Sequence, residues 1–322
     1  MKKKSVAVAY PTIPIIFLGG INPDRTPLYD TMGLAVTSSD EETRTETTVE
    51  VSKSANDIDV KFSINGKKIS GLRGQQIIKA IRSFLSQNNI SANITIKSNN
   101  YRMFSGSSDS GLAAVFTALN DVFELNFTKT DLLKHSMKGS ESAGRSLYGG
   151  LTLTKASTKP PTVAQLASEK DLEKIRLFSV PFYYKSRISA DEIHSGIVTN
   201  PNFQERVNKI PEWVDKILTS LKNKDYISLL KVAEENIRNA HELLEEVNLP
   251  VRKQEMMYLC EDVEKMRERK LEAYFLIGGG NLVTIATLDE YAEEIAKFLS
   301  SKNWEFYNFK VASAPKIIKS II

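Results

Sequence analysis

The chain has 322 residues, one cysteine and 41% hydrophobic residues, and its 43 Lys+Arg against 39 Asp+Glu leave a net charge of only +4. An ordinary charged fraction of 25% speaks against a disordered chain, and the length suggests about two domains. Cys260 alone can form neither an internal disulfide nor a cysteine zinc site, which fits a reducing cytosolic setting, and the scattered basic excess contains no block to neutralise a nucleic-acid backbone.

Lys2 to Lys4 followed by the apolar run from Val6 to Gly20 imitate a secretory signal. Pro11 and Pro14 interrupt the run and Ala7-Val8-Ala9 falls too early for cleavage, so a first strand and turn is expected instead. No other apolar run approaches the roughly 20 residues that span a bilayer. Ile58, Val60, Phe62 and Ile64 alternate with Asp57, Asp59, Lys61 and Ser63, the period of a half-buried strand, and Asn65-Gly66 is a favoured hairpin turn into a returning strand. Ile77, Ile78, Ile81 and Leu85 then share a helix face, Ala92, Ile94 and Ile96 one side of a strand, and Leu112, Val115, Phe116 and Leu119 another helix face. After Leu177 a strand-like run opens at Phe178 to Tyr184. Three amphipathic helices follow, from Val207 to Leu221, Leu229 to Leu244 and Met256 to Lys270. Strands at Ala273 to Ile277 and Leu282 to Ala286 flank Gly278 to Gly280, and a helix from Leu288 to Leu299 and a strand from Trp304 to Val311 end the pattern. The order predicts an α+β protein of two closely meeting domains, 1–177 and 178–322, whose junction is a usual place for a ligand cleft. The apolar tail Ile317 to Ile322 reads as a last strand or an interface.

Two segments carry chemistry. In Ser105-Gly106-Ser107-Ser108-Asp109-Ser110-Gly111, small residues let backbone N–H groups approach a phosphate at the start of a helix, and the hydroxyls with Asp109 can hold Mg²⁺; the same residues also suit simple helix capping. No Gly-Lys-Ser/Thr follows, so this is not a Walker loop. In Glu141-Ser-Ala-Gly-Arg145, a helix would set the acid and the base on one face, either paired with each other or jointly gripping a hydroxy acid. His135, His194 and His241 have no metal-ligand spacing, although His194 is the most plausible participant of the three. The charge-rich helices at Glu234-Glu235 and Glu261 to Lys270 read as solvated faces, Trp213 and Trp304 as core or interface residues, and the triple glycine as a tight turn or a ligand loop.

Together the serine-glycine loop between strand and helix, the run Ser140-Glu-Ser-Ala-Gly-Arg-Ser-Leu-Tyr-Gly-Gly150, the opening Ala9 to Gly20, the Arg73-Gly-Gln-Gln segment and Ile277-Gly-Gly-Gly-Asn281 resemble the GHMP kinase superfamily over nearly the whole chain. The branch is that of mevalonate diphosphate decarboxylases and archaeal mevalonate 3-kinases. The resemblance implies a ribosomal protein S5 domain 2-like N-terminal domain and a ferredoxin-like C-terminal domain. Decarboxylases carry a Lys-Tyr-Trp-Gly-Lys type run where Phe17-Leu18-Gly19-Gly20 stands, and an aspartate where Ile277 stands; the archaeal 3-kinases are similar to this chain at both places and at Glu141.

The resemblance therefore implies ATP- and Mg²⁺-dependent phosphorylation of the 3-hydroxyl of mevalonate, without loss of carbon dioxide, by a cytoplasmic homodimer that engages neither nucleic acid nor membrane. It places Glu141 and Arg145 in catalysis, and Leu18, Gly19, Arg73, Ile277 and Gly279 with them around the substrate. Ser105, Gly106, Ser107, Ser108, Asp109, Ser110, Arg187 and Ser195 fall to the nucleotide, and Asp109 with Ser110 to the metal. The competing readings are a decarboxylase of a mevalonate phosphate, a 5-kinase of mevalonate 3-phosphate and a non-catalytic metabolite-binding homologue.

Overall fold

The computed structural model describes residues 2–53, 58–186 and 188–322. The first part of the chain forms β1 (Lys4–Ala9), β2 (Thr12–Ile16), β3 (Thr31–Ser38), β4 (Arg44–Lys53), β5 (Asp59–Ile64), the short β6 (Lys67–Lys68), α1 (Gly71–Gln87) and β7 (Ala92–Tyr101). Next come α2 (Ser107–Val122), α3 (Lys129–Ser136), α4 (Ala143–Tyr148), β8 (Leu151–Lys155), β9 (Thr162–Ala167) and β10 (Ile175–Pro181). Helices α5 (Ala190–Ile197), α6 (Phe203–Lys222), α7 (Tyr226–Glu246) and α8 (Gln254–Glu268) precede β11 (Tyr274–Ile277), β12 (Leu282–Leu288), α9 (Asp289–Ser301), β13 (Tyr307–Val311) and β14 (Lys316–Ile321). Among the described residues, no helix is long and apolar enough to cross a membrane.

Local pattern explains most of these elements. The lysine-led opening is β1 and β2, as expected, with Lys2 on Asp121 and Lys4 on Glu50. In β5 the alternation buries Val60 and Phe62, and Asn65 and Gly66 both adopt the positive φ that a tight hairpin turn needs; Asp57 lies outside the described residues. In β7, Ala92, Ile94, Ile96 and Ser98 face inward. The expected loop through Gly111 is shorter than the composition suggests, because Ser107 to Gly111 already form the first turns of α2.

The strands build two sheets. One runs β14-β1-β4-β7-β5-β6; the other runs β11-β12-β10-β13-β3-β8-β9, with β2 against β3. Helix α2 packs on β1 and β4, and its small Ala113, Ala114 and Ala118 are fully buried, so the helix lies close to the sheet. Phe84 of α1 meets Phe116 of α2 edge to face at 5.3 Å in the same core. Helices α6, α7 and α8 supply the larger core over the second sheet. The chain's halves are tied by strand pairing: β13 joins β3, and the apolar tail is the strand β14 on β1. The cut after Leu177 thus falls inside β10.

One expectation is corrected. Glu234 is not on a solvated face but buried, where its carboxylate accepts from the Phe275 backbone N–H at 2.8 Å and from Arg238 and Arg267. The helical charge pattern at that position hides an anchor between α7 and the start of β11. Removing one member of a buried ionic cluster costs about 3 kcal/mol. Glu234→Ala is therefore expected to lower Tm by roughly 4 to 5 °C for a chain of this size in calorimetry, and a drop under about 2 °C would contradict the anchor.

Candidate active site

An open cleft with a cavity volume of about 160 Å³ lies at the N-terminus of α2. Its walls are Thr12 and Pro14 of β2, Phe17 and Leu18 just after it, Ser105 to Asp109, the Glu141–Arg145 segment, the α5 region from Ile188 to His194, and Gly278 to Gly280.

The phosphate cradle follows from close backbone packing. Gly106 is the N-cap of α2 with φ 70°, and a Cβ there would stand 2.9 Å from both Pro11 Cβ and the Thr12 nitrogen. Only glycine satisfies both the left-handed backbone and the contact. On the opposite wall, a Cβ on Gly280 would stand 2.6 Å from Ser105 Oγ. The helix opens on the cleft with free backbone N–H groups and the positive end of its dipole, and no side-chain cap bond occupies them.

Asp109, in the first turn, is buried and accepts from the hydroxyls of Thr12 and Ser142, with Ser140 at 3.5 Å. Burial pushes its carboxyl above the ordinary value, against the pull of the nearby Arg145 and of those hydroxyls. Arg145 projects from α4, its Cδ so close to Gly33 that a Cβ there would stand 2.4 Å away. Burial pulls its guanidinium below its usual value, with Asp109 and Glu141 opposing. Its Nε and Nη2 are buried with no hydrogen-bond partner among the described residues. Buried guanidinium N–H groups left without acceptors are costly, and these two belong to a residue on the cleft wall.

Glu141 lies before α4, not on a helix face shared with Arg145. Its carboxylate accepts from Arg25 Nη2 at 2.8 Å and Nε at 3.1 Å, and from His194 Nε2 at 3.3 Å. Arg25 holds a positive φ of 67° and also reaches Asp191 at the start of α5. The cleft thus has one cation with unused donors, Arg145, and one carboxylate paired with a cation, Glu141 on Arg25.

Of the expected site residues, Leu18, Ser105, Gly106, Ser107, Ser108, Asp109, Glu141, Arg145 and Gly279 meet in this cleft. Four do not line it. Ser110 turns its hydroxyl to Thr45 of β4 at 2.7 Å, because the helix rotates it toward the sheet, and so it is not placed to hold a metal. Ser195 is on the exposed face of α5, and its neighbour His194 takes the inner position. Ile277 is buried in the core of the second sheet, with its carbonyl accepting from His241 Nε2 at 3.3 Å. Gly19 lies behind the wall, against Tyr29 and Ile197. Arg187 lies outside the described residues, as does the side chain of Arg73 in α1. Thr12, Arg25 and Ser142 are added by the structure, and His194, the histidine favoured in the sequence, joins them beside Glu141. Arg25 and Glu141 are separated by 116 positions, and no local pattern could have joined them.

Comparisons with known proteins place the chain in a family. Residues 9–165 match the family described as the diphosphomevalonate decarboxylase-like N-terminal domain. Residues 188–293 match the mevalonate-3-kinase C-terminal domain. The mevalonate-3-kinase of Picrophilus torridus is 30% identical, covering 96% of each chain, and the mevalonate 3-kinase of Thermoplasma acidophilum is 27% identical over 90% of each. The solved structure of the Thermoplasma acidophilum mevalonate-3-kinase with mevalonate 3-phosphate and ADP bound superposes with a TM-score of 0.88 at 24% identity, covering 99% of this chain and all of that one. The architecture is the two-domain GHMP kinase fold. Within that class, the chain belongs to the mevalonate 3-kinase family.

His241 supports the glycine wall from beneath and gives the site a pH signature. Burial, reinforced by Arg252, lowers its pKa from 6.5 to about 3. The unfolded chain then binds a proton that the native state refuses, so this group's contribution is intact above about pH 6.5 and is lost as pH falls toward 3, at up to about 1.4 kcal/mol per pH unit. Denaturant unfolding of the wild type between pH 7 and 4 is expected to show that slope. His241→Gln, which retains a donor for the Ile277 carbonyl, is expected to flatten it; equal slopes would exclude His241 as the source.

Proposed function

We propose that this protein transfers the γ-phosphoryl group of ATP to the tertiary 3-hydroxyl of mevalonate, giving mevalonate 3-phosphate without decarboxylation. The observation that carries the reading is Arg145: a buried guanidinium with two unused donors on the wall of a cleft whose neighbouring wall is an uncapped helix N-terminus. A planar fork with free N–H groups suits a carboxylate, and a helix start lined by glycine and serine suits phosphate.

In this reading the backbone of Ser105 to Ser108 holds the nucleotide phosphates, Arg145 takes the C1 carboxylate, and Glu141, oriented by Arg25 and His194, accepts from a substrate hydroxyl. Leu18 supplies the apolar side. Among the described residues, no group of three or more His, Cys, Asp or Glu could hold a metal by protein ligands alone. One cleft carboxylate, Asp109, beside the Ser108 hydroxyl does suit Mg²⁺ carried in by a nucleotide, since that ion keeps waters and phosphate oxygens as most of its ligands. Bound there, Mg²⁺ would offset charge on the phosphate oxygens. The phosphoryl transition state is loose, so positioning and charge stabilisation account for most of the rate, and the chain needs no strong base. An ion pair with Arg145 would stabilise the ionised carboxylate more than the neutral carbon dioxide it would have to become, and so would disfavour decarboxylation. A cytoplasmic homodimer belongs to the same reading, and sedimentation at the mass of two subunits is its expected sign.

Phosphorus NMR of the chain with mevalonate and ATP is expected to show ADP and a phosphate ester on the tertiary oxygen. Ester on the primary 5-oxygen, or stoichiometric carbon dioxide, would overturn the reading. Arg145→Met should lower kcat/KM at least about 100-fold, because a charge-assisted contact to substrate is lost. The same substitution removes the cation that offsets the buried Asp109, so Tm is expected to fall as well, and kcat/KM is compared on the folded enzyme.

A further inference from the structure

Arg206 of α6 is 1% exposed, yet among the described residues it has no carboxylate partner. Its guanidinium donates only to neutral oxygens. Nε reaches Tyr29 Oη at 3.3 Å, Nη1 the Asn236 carbonyl at 3.0 Å and Asn239 Oδ1 at 2.9 Å, and Nη2 the Phe17 carbonyl at 3.3 Å and Asn236 Oδ1 at 3.1 Å. It also lies over the rings of Tyr29 and Trp213 at 5.6 and 5.5 Å. A buried cation without a counter-ion is a poor device for stability, and the convergence of its partners points elsewhere.

Those partners meet on one short segment. The Phe17 N–H donates to Asn236 Oδ1 at 2.9 Å, Tyr29 Oη donates to the Phe17 carbonyl at 3.0 Å, and the Gly19 N–H donates to Tyr29 Oη at 2.9 Å. The segment belongs to no strand or helix, so these side chains replace the backbone ladder it lacks. A Cβ on Gly19 would stand 2.9 Å from both Tyr29 Oη and Ile197 Cδ1, which leaves the segment no slack toward α5. Leu18, between the two fixed residues, is on the cleft wall.

We propose that Arg206, Tyr29 and Asn236 are positioning residues for the acceptor half of the cleft: they fix Phe17 to Gly19 so that Leu18 stands as a rigid apolar wall against the substrate. The proposal rests on the mevalonate reading for the identity of that substrate, but the clamp itself does not. Its effect is selective. It acts on the acceptor side and leaves the phosphate cradle of α2 alone.

Tyr29→Phe removes one hydroxyl and keeps the ring. The expected result is a KM for mevalonate raised about 10-fold, with kcat within about threefold and the KM for ATP unchanged. A merely structural role would lower Tm and leave the KM for mevalonate of the folded enzyme as it was, and that outcome overturns the proposal. Amide hydrogen exchange on the wild type needs neither variant nor substrate. The Gly19 and Phe17 amides should exchange as slowly as those of β3, and fast exchange would overturn the clamp. If the wild type does not consume mevalonate, the functional reading fails, while the exchange experiment still decides the clamp.

Discussion

The carboxylate of Asp109 is where the architecture of the cleft converges. Hydroxyls from β2 and from the segment before α4 both donate to it, and it sits in the first turn of α2. Three segments far apart in the chain are thereby drawn to one point. Burial raises the energy of that charge, and Arg145 offsets it without a hydrogen bond between them. The pair is thus held by surrounding packing, notably the absence of a side chain at Gly33 and the small cradle at Gly106. This arrangement leaves two guanidinium nitrogens of Arg145 without a hydrogen-bond partner among the described residues.

The other walls are held by similar means from behind. Glu234 anchors the start of β11 and His241 binds the carbonyl at its end, so the strand that leads into Gly278 to Gly280 is fixed at both ends by α7. Arg206 and Asn236 fix the Phe17 to Gly19 segment from α6 and α7. Helix α7 therefore supports two walls of the cleft through buried polar contacts, while α2 forms a third. Burial pushes the Cys260 thiol up to about 12, which keeps it in the thiol form near neutral pH.

Much was legible along the chain, because helices, strands and tight turns are written in local periodicity. The β5 alternation, the Asn65-Gly66 turn and the long amphipathic helices all appear where their patterns put them, while α2 begins at Ser107, earlier than its loop suggested. Glu234, buried where a solvated face was expected, and three site candidates that do not line the cleft share one cause. Glu234, Ser110, Ser195 and Ile277 each lie in a recognisable element, but which way an individual side chain faces depends on what packs against that element. Ser110 and Asp109 are adjacent, and the roughly 100° step between them along α2 sends the first to β4 and the second to the cleft.

By itself the sequence determined the elements, the two-domain α+β class and the segments that could carry phosphate and carboxylate chemistry, since backbone propensity and family motifs are properties of contiguous residues. Only the tertiary structure decided the company those residues keep. It separated Glu141 from Arg145, gave Glu141 to Arg25 and His194, and left Arg145 beside Asp109 with donors to spare. The physical reason is that burial and electrostatic pairing depend on distances across space, which spacing along a chain does not encode.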